Sequence, residues 1–196
     1  KSHERCLVVE IMGRHAGWIT FAAGVAAGAH IVLVPEIKCD LNEVYRVVKA
    51  RRDAGKHYTL VACSEGAVPI DEQTDQVIDP KAPKKFDAFG NVQLGGIGKK
   101  LAKLIEKNTG VETRDVLLGH LQRGGHPTMF DRLFGMRLGV KAVQCADQGL
   151  SGKLLSLRNN EIIPVDITEA LGATQETRKT RRLPAEWYEG ARPFFG

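Results

Sequence analysis

Short runs of unbroken apolar residues alternate along the chain with longer stretches in which apolar residues recur every three or four positions. CLVVEIM (6–12) predicts a buried strand, bounded by Gly13 and Arg14. GWITFAAGVAAGA (17–29) is Ala-rich and predicts a tightly packed helix. IVLVPE (31–36) predicts a second strand. DLNEVYRVVKARRDAG (40–55) has Asp40 as an N-cap, Glu43 three residues on, apolar residues at 41, 44, 47 and 48, and Gly55 as a stop. That is the pattern of a helix. YTLVACSE (58–65) predicts a third strand, ending at Ser64 and Glu65.

The pattern breaks between residues 66 and 98, a stretch rich in Pro, Asp and Lys that reads as a long excursion with short strands. Helical spacing returns in IGKKLAKLIEKNTG (97–110), with Leu101, Leu104 and Ile105 on one face. ETRDVLLGH (112–120) predicts a fourth strand and MFDRLFGMRLGVKAVQCADQG (129–149) a long helix. KLLSLRNNEIIPVD (153–166) predicts two short strands around the turn pair Asn159-Asn160.

Strands alternating with helices predict an α/β fold with a mostly parallel sheet flanked by helices. Ligands of such sheets bind beyond the carboxyl ends of the strands. Polar groups stand at those ends here: Gly13-Arg14, Ser64-Glu65, and Gly119-His120 through Gly125.

The loop GHLQRGG (119–125) offers a His, an Arg and paired glycines. An Arg fork matches phosphate oxygens, a His can donate to them, and Gly lets backbone amides approach an anion. The same pattern also fits a glycine turn whose His and Arg face water. MGRHAGW (12–18) puts Arg14 between a strand and a helix start, which favours anions; an ordinary connection with a solvated Arg is the other reading. Glu65 could accept from a sugar hydroxyl or be a surface carboxylate. Arg5 and Arg114 stand at the starts of their strands, remote from the other candidates within one subunit. His15, His30, His57 and His126 read as surface or loop residues.

Other patterns fail. A phosphate loop ending at Lys99 needs Gly where Gln93 stands and Ser or Thr where Lys100 stands. The six histidines show no metal-ligand spacing with cysteines or carboxylates, and no metal site is expected within the chain.

Composition narrows the class. The chain has 196 residues, 43% hydrophobic and 26% charged, ordinary for a globular protein with a real core. No apolar run approaches the length of a bilayer span, and no membrane association or secretory leader is expected. The first residue is Lys, as in a piece of a longer chain. Cys6, Cys39, Cys63 and Cys145 form no CxxC pair, which suits reduced thiols in the cytoplasm. The net charge is +5 and the pI about 9.1, compatible with nucleic acid or with phosphorylated metabolites. Part of the excess lies in TRKTRR (177–182), read as a solvated tail or as anion or partner contacts. Aromatics are 6% of residues and leave few stacking platforms for nucleic acid, so none is expected as a partner.

VVEIMGRHAGW, the VPE after the second strand, ETRDVLLGHLQRGG and FDR (130–132) together resemble the C-terminal half of the 6-phosphofructokinase family, in order from about Ser2 to Asp166. DAFGNVQLGGIGKKLA (87–102) is more similar to the pyrophosphate-dependent and related bacterial branch. The resemblance implies a phosphofructokinase-like fold and phosphoryl transfer from ATP or pyrophosphate, with Mg2+, to the 1-hydroxyl of fructose 6-phosphate in glycolysis. Met12, Gly13 and Arg14 match the motif that contacts the sugar, and Arg14 also stabilises charge on the transferring group. Glu65 matches the acid that binds the sugar hydroxyls. His120, Gln122 and Arg123 fall in the HxQR loop that grips substrate, His120 near the 6-phosphate. Arg5 and Arg114 match arginines that reach that phosphate from a neighbouring subunit, so a homodimer or homotetramer with interfacial sites is implied.

The implied organisation is a fructose-6-phosphate-binding domain at 1–121, a segment at 122–160 that crosses back to the donor-binding domain, and a C-terminal helix and tail at 161–196. The family's donor loops, its catalytic Asp motif and the Mg2+ ligands belong to the half that is not here, so this chain alone is expected to be inactive. Allosteric members place basic residues and an acid at an effector site, and Ala54 and His30 stand at two of those positions here. A phosphosugar-binding module without catalysis is the competing expectation.

Overall fold

The computed structural model describes residues 5–71, 76–77, 96–172 and 180–195. They form two compact units, residues 1–122 with 182–196, and residues 123–181.

The first unit is built on β1 (Arg5–Ile11), α1 (Trp18–Ala26), β2 (Ile31–Leu33), β3 (Cys39–Asp40), α2 (Leu41–Asp53) and β4 (Tyr58–Ser64). There follow β5 (Pro69–Asp71), β6 (Gln76–Val77), α3 (Ile97–Thr109) and β7 (Thr113–Leu117). Four strands make one sheet in the order β2-β4-β1-β7, and every pairing in it is parallel. β5 and β6, in the stretch read as a long excursion with short strands, join β3 from outside that stretch in a small second sheet; residues 72–75 and 78–95 lie outside the described residues.

Alternation along the strands sorts the side chains onto two cores. Cys6 and Val8 of β1, with Val61 and Cys63 of β4, pack against α2 and α3 through Val44, Val48, Leu101 and Ile105. Val9 and Ile11, with Ala62, face α1 through Phe21. Glu10 continues the row of Cys6 and Val8, so strand geometry aims its carboxylate at the side where α3 lies. Leu101 and Ile105 are fully buried and Leu104 is half-buried, as the spacing predicts.

Several expected boundaries move for identifiable reasons. The second strand pairs only at Ile31–Leu33; Glu36 turns away and accepts from the Gly17 N–H at 3.0 Å, closing the start of α1. Asp40 does cap α2, accepting from the Asn42 N–H at 2.9 Å. Glu43, however, turns outward to Arg46 and Arg192. The fourth strand stops at Leu117, because Gly119 takes φ +49° and the chain enters a helical turn, Gly119–Arg123. A Cβ at Gly119 would meet nothing closer than 4.0 Å, so the glycine is there for its backbone angle. His30 is no simple surface residue: its Nδ1 accepts from the Leu60 N–H at 2.9 Å.

The second unit contains α4 (Met129–Asp147), β8 (Lys153–Arg158), β9 (Glu161–Asp166) and α5 (Ile167–Leu171). Thr128 and Asp131 form a reciprocal capping box at the start of α4. β8 and β9 pair through Asn159 and Asn160, both at positive φ, the conformation of a tight hairpin turn. α4 buries Cys145 while Met136, Val140 and Val143 stand largely exposed. Within the first unit, α6 (Ala185–Ala191) and a last helical turn, Arg192–Phe194, return to the sheet: Tyr188 donates its hydroxyl to the Val32 carbonyl at 2.7 Å.

Candidate active site

β1, β4 and β7 run parallel and adjacent, so their carboxyl ends open on one edge of the sheet. A cleft of about 330 Å3 lies there, lined among others by Glu10, Met12, Glu65, Gly119, His120 and Gln122. Three strand ends more than fifty residues apart in sequence supply them.

The loop after β1 is held from both sides. The Glu65 N–H donates to the Ile11 carbonyl at 2.8 Å, and the Gly66 N–H to the Gly13 carbonyl at 3.1 Å. The buried Ser64 hydroxyl donates to that same carbonyl at 2.7 Å. The Gly13 N–H in turn donates to Glu65 Oε1 at 3.3 Å. A Cβ on Gly66 would fall on the Arg14 carbonyl and 2.7 Å from that of Gly13. The two strand ends are therefore laced together at a spacing that admits no side chain.

Glu10 forms the floor. It is 2% exposed, and its carboxylate accepts from the Gly96 N–H at 3.0 Å and the Gly98 N–H at 2.8 Å, at the N-terminus of α3. Helix starts leave unpaired N–H groups and favour negative charge. The Gly96-Ile97-Gly98 start of α3 thus serves a carboxylate of the chain itself. Burial pushes the neighbouring Cys63 thiol up, and the Glu10 charge adds to the effect.

The expected residues divide by place. Met12, Glu65, His120 and Gln122 line the cleft, and Gly13 is bonded to Glu65 beside it. Arg14 follows in the same loop, half-buried, outside the cleft lining. Gln122 gives both ends of its amide to the backbone: Oε1 accepts from the Met12 N–H at 3.1 Å, and Nε2 donates to the Gly119 carbonyl at 3.2 Å. Arg123 is exposed, ends the helical turn and opens the second unit. Arg5 and Arg114 are at the opposite edge of the sheet, roughly 20 Å away by the length of a seven-residue strand. There both pair with Glu112, whose carboxyl their guanidiniums hold below the usual range.

Glu10, Ser64, Glu36 and Glu112 were not among the candidates. Ser64 reads as a polar group at a strand end with no assigned role, and Glu10 sits inside an apolar run that reads as strand interior. A polar residue in such a run was the available signal. Among the described residues, no three His, Cys, Asp or Glu side chains gather to hold a metal ion. Mg2+ does not find a ligand set in this cleft, where the oxygens of Glu10 are already occupied by amides.

Against known proteins, the family described as Phosphofructokinase matches residues 1–146. The chain is 42% identical over its whole length to the pyrophosphate–fructose 6-phosphate 1-phosphotransferase of Dictyoglomus thermophilum, of which it covers 54%. It is 39% identical, with the same coverage, to the ATP-dependent 6-phosphofructokinase of Mycobacterium bovis. Among solved structures, the T-state phosphofructokinase of Pichia pastoris superposes with a TM-score of 0.63 at 29% identity, over 86% of this chain and 16% of that one. The pyrophosphate-dependent phosphofructokinase of Marinobacter aquaeolei shares the fold, with a TM-score of 0.69 at 21% identity over 99% of this chain and 47% of its own. The chain spans about half the length of the curated relatives it matches. It belongs to the phosphofructokinase family and corresponds to the C-terminal half of its members.

Proposed function

We propose that this chain is the sugar-phosphate-binding half of a 6-phosphofructokinase, which moves a phosphoryl group from ATP or pyrophosphate to the 1-hydroxyl of fructose 6-phosphate. The observation that carries the reading is the convergence of Met12, Glu65 and His120 on one cleft, in a chain similar to enzymes named for that transfer.

Glu65 accepts from the sugar hydroxyls while its other contact, to the Gly13 N–H, keeps it in place. His120 faces the 6-phosphate. Arg14, next to the laced Gly13, turns its guanidinium toward the phosphoryl group in flight, where charge builds up on the equatorial oxygens. Arg5 and Arg114 serve the cleft of a neighbouring copy in a homodimer or homotetramer, which accounts for their position on the other edge. The catalytic base and the Mg2+ ligands belong to the other half of the complete protein, and its surface covers the exposed apolar face of α4. Residues 1–196 alone turn over neither donor. The complete protein acts in the cytoplasm, as an enzyme of sugar-phosphate metabolism.

The test is direct. The complete protein is supplied with fructose 6-phosphate, Mg2+ and either ATP or pyrophosphate, and fructose 1,6-bisphosphate is measured. Product with one of the donors is expected. Tight fructose 6-phosphate binding with no product from either donor would instead establish a phosphosugar-binding module.

A further inference from the structure

We infer that Gln122 is a positioning residue that ties the two walls of the cleft together, an inference that rests on the proposed reaction. Leu121 and Arg123 on either side of it are exposed, and the resemblance places it among substrate-gripping residues. The hydrogen bonds give it another task.

The reason lies in how the β1–β7 ladder ends. In a parallel pair, one residue of a strand donates to the residue before its partner and accepts from the residue after it. The Leu118 N–H donates to the Glu10 carbonyl at 3.2 Å, so the following rung would run from the Met12 N–H to the Leu118 carbonyl. At that point the chain bends at Gly119, and the Leu118 carbonyl accepts from the Leu121 N–H at 3.1 Å as the helical turn begins. The Met12 N–H meets Gln122 Oε1 at 3.1 Å. A side chain therefore supplies the acceptor where the ladder gives way to the turn.

The other end of the amide fixes the turn itself, through Nε2 and the Gly119 carbonyl at 3.2 Å. One planar group thus sets the distance between Met12 on one wall and Gly119-His120 on the other. Asn is too short to reach both partners, and Glu, lacking the donor, would set a carboxylate oxygen against the Gly119 carbonyl.

Two readouts test this in the complete protein. The first needs no substrate: hydrogen exchange over residues 10–13 and 118–122 is compared between parent, Gln122→Ala and Gln122→Met, the latter keeping the side-chain volume should Ala fail to fold. Exchange about tenfold faster in both segments is expected. Unchanged exchange overturns the inference, whatever reaction the protein catalyses. The second is a double-mutant cycle on kcat/KM for fructose 6-phosphate with His120→Ala. A positioning residue acts through His120, so Gln122→Met should cost tenfold or more in the parent and less than threefold once His120 is gone. Equal losses in both backgrounds would mean an independent substrate contact and would overturn the inference. If the parent makes no fructose 1,6-bisphosphate with either donor, the proposed function fails, and the exchange measurement still decides whether Gln122 holds the walls.

Discussion

Arg114 grips one oxygen of Glu112 from two nitrogens, Nε at 3.1 Å and a terminal nitrogen at 2.7 Å, while Arg5 approaches the other oxygen at 3.0 Å. Two cations are thus pre-gathered around one exposed carboxylate at the amino edge of the sheet. On the proposed reading they meet the substrate phosphate of a neighbouring copy. Replacing Arg114 with Ala should raise KM for fructose 6-phosphate roughly ten- to a hundredfold, as expected for a charged hydrogen bond worth about 1.5–3 kcal/mol. Turnover should be nearly unchanged. Steady-state kinetics of the complete protein decides it.

Arg14→Ala should show the opposite division. Charge on the transferring group exists mainly in the transition state, so losing the guanidinium should lower kcat by roughly 10²–10³-fold and move KM little. An unaltered kcat would remove Arg14 from the chemistry.

Glu10 contributes to stability ahead of catalysis. Glu10→Ala leaves the Gly96 and Gly98 amides without their acceptor, at a cost of roughly 1–3 kcal/mol for the buried Gly98 donor and less for the half-buried Gly96. Glu10→Gln keeps one acceptor oxygen and should lose less. Thermal unfolding of the two variants should rank them in that order below the parent.

His30 makes stability depend on pH. Burial, followed by the nearby Arg51 charge, lowers its pKa, and its unprotonated Nδ1 accepts from the Leu60 N–H. A histidine whose folded pKa is depressed contributes stability above its ordinary value, roughly 6.5, and that contribution disappears as pH falls through the lowered value. Melting curves of parent and His30→Asn should therefore differ more near pH 7.5 than near pH 5. A constant difference would show that His30 does not titrate on unfolding.

Burial pushes the Cys6 and Cys39 thiols up to about 12. Since the thiolate is the reactive form, both should resist alkylation at about pH 8 in the folded protein and react on denaturation. Peptide mapping after iodoacetamide treatment reads this directly.

The sheet and the cleft were legible to different degrees. Uninterrupted apolar runs ending in Gly13, Glu65 and His120 located three strand ends, because a buried parallel strand announces itself by its composition. Asn159-Asn160 announced its hairpin because few other residue pairs accept two positive φ values. Glu10 was hidden, since its partners at Gly96 and Gly98 come 86 and 88 residues later and follow a stretch with no periodicity. Gln122 was read by its neighbours in the motif, while its task depends on Met12, 110 residues away. His30 looked like a surface residue because nothing local reveals that a backbone amide of β4 points at its ring. Pairings of that kind depend on register, which single-chain patterns do not encode.

Because the walls of the cleft come from β1, β4 and β7, no single loop or exon-sized piece carries the recognition chemistry. In chimeras between members of the family, crossovers inside residues 58–66 or 113–122 would separate Ser64, Glu65 or Gln122 from the loop each one secures. On the proposed reading, exchanges that keep these two stretches from the same parent as residues 5–14 should inherit sugar-phosphate affinity as one trait.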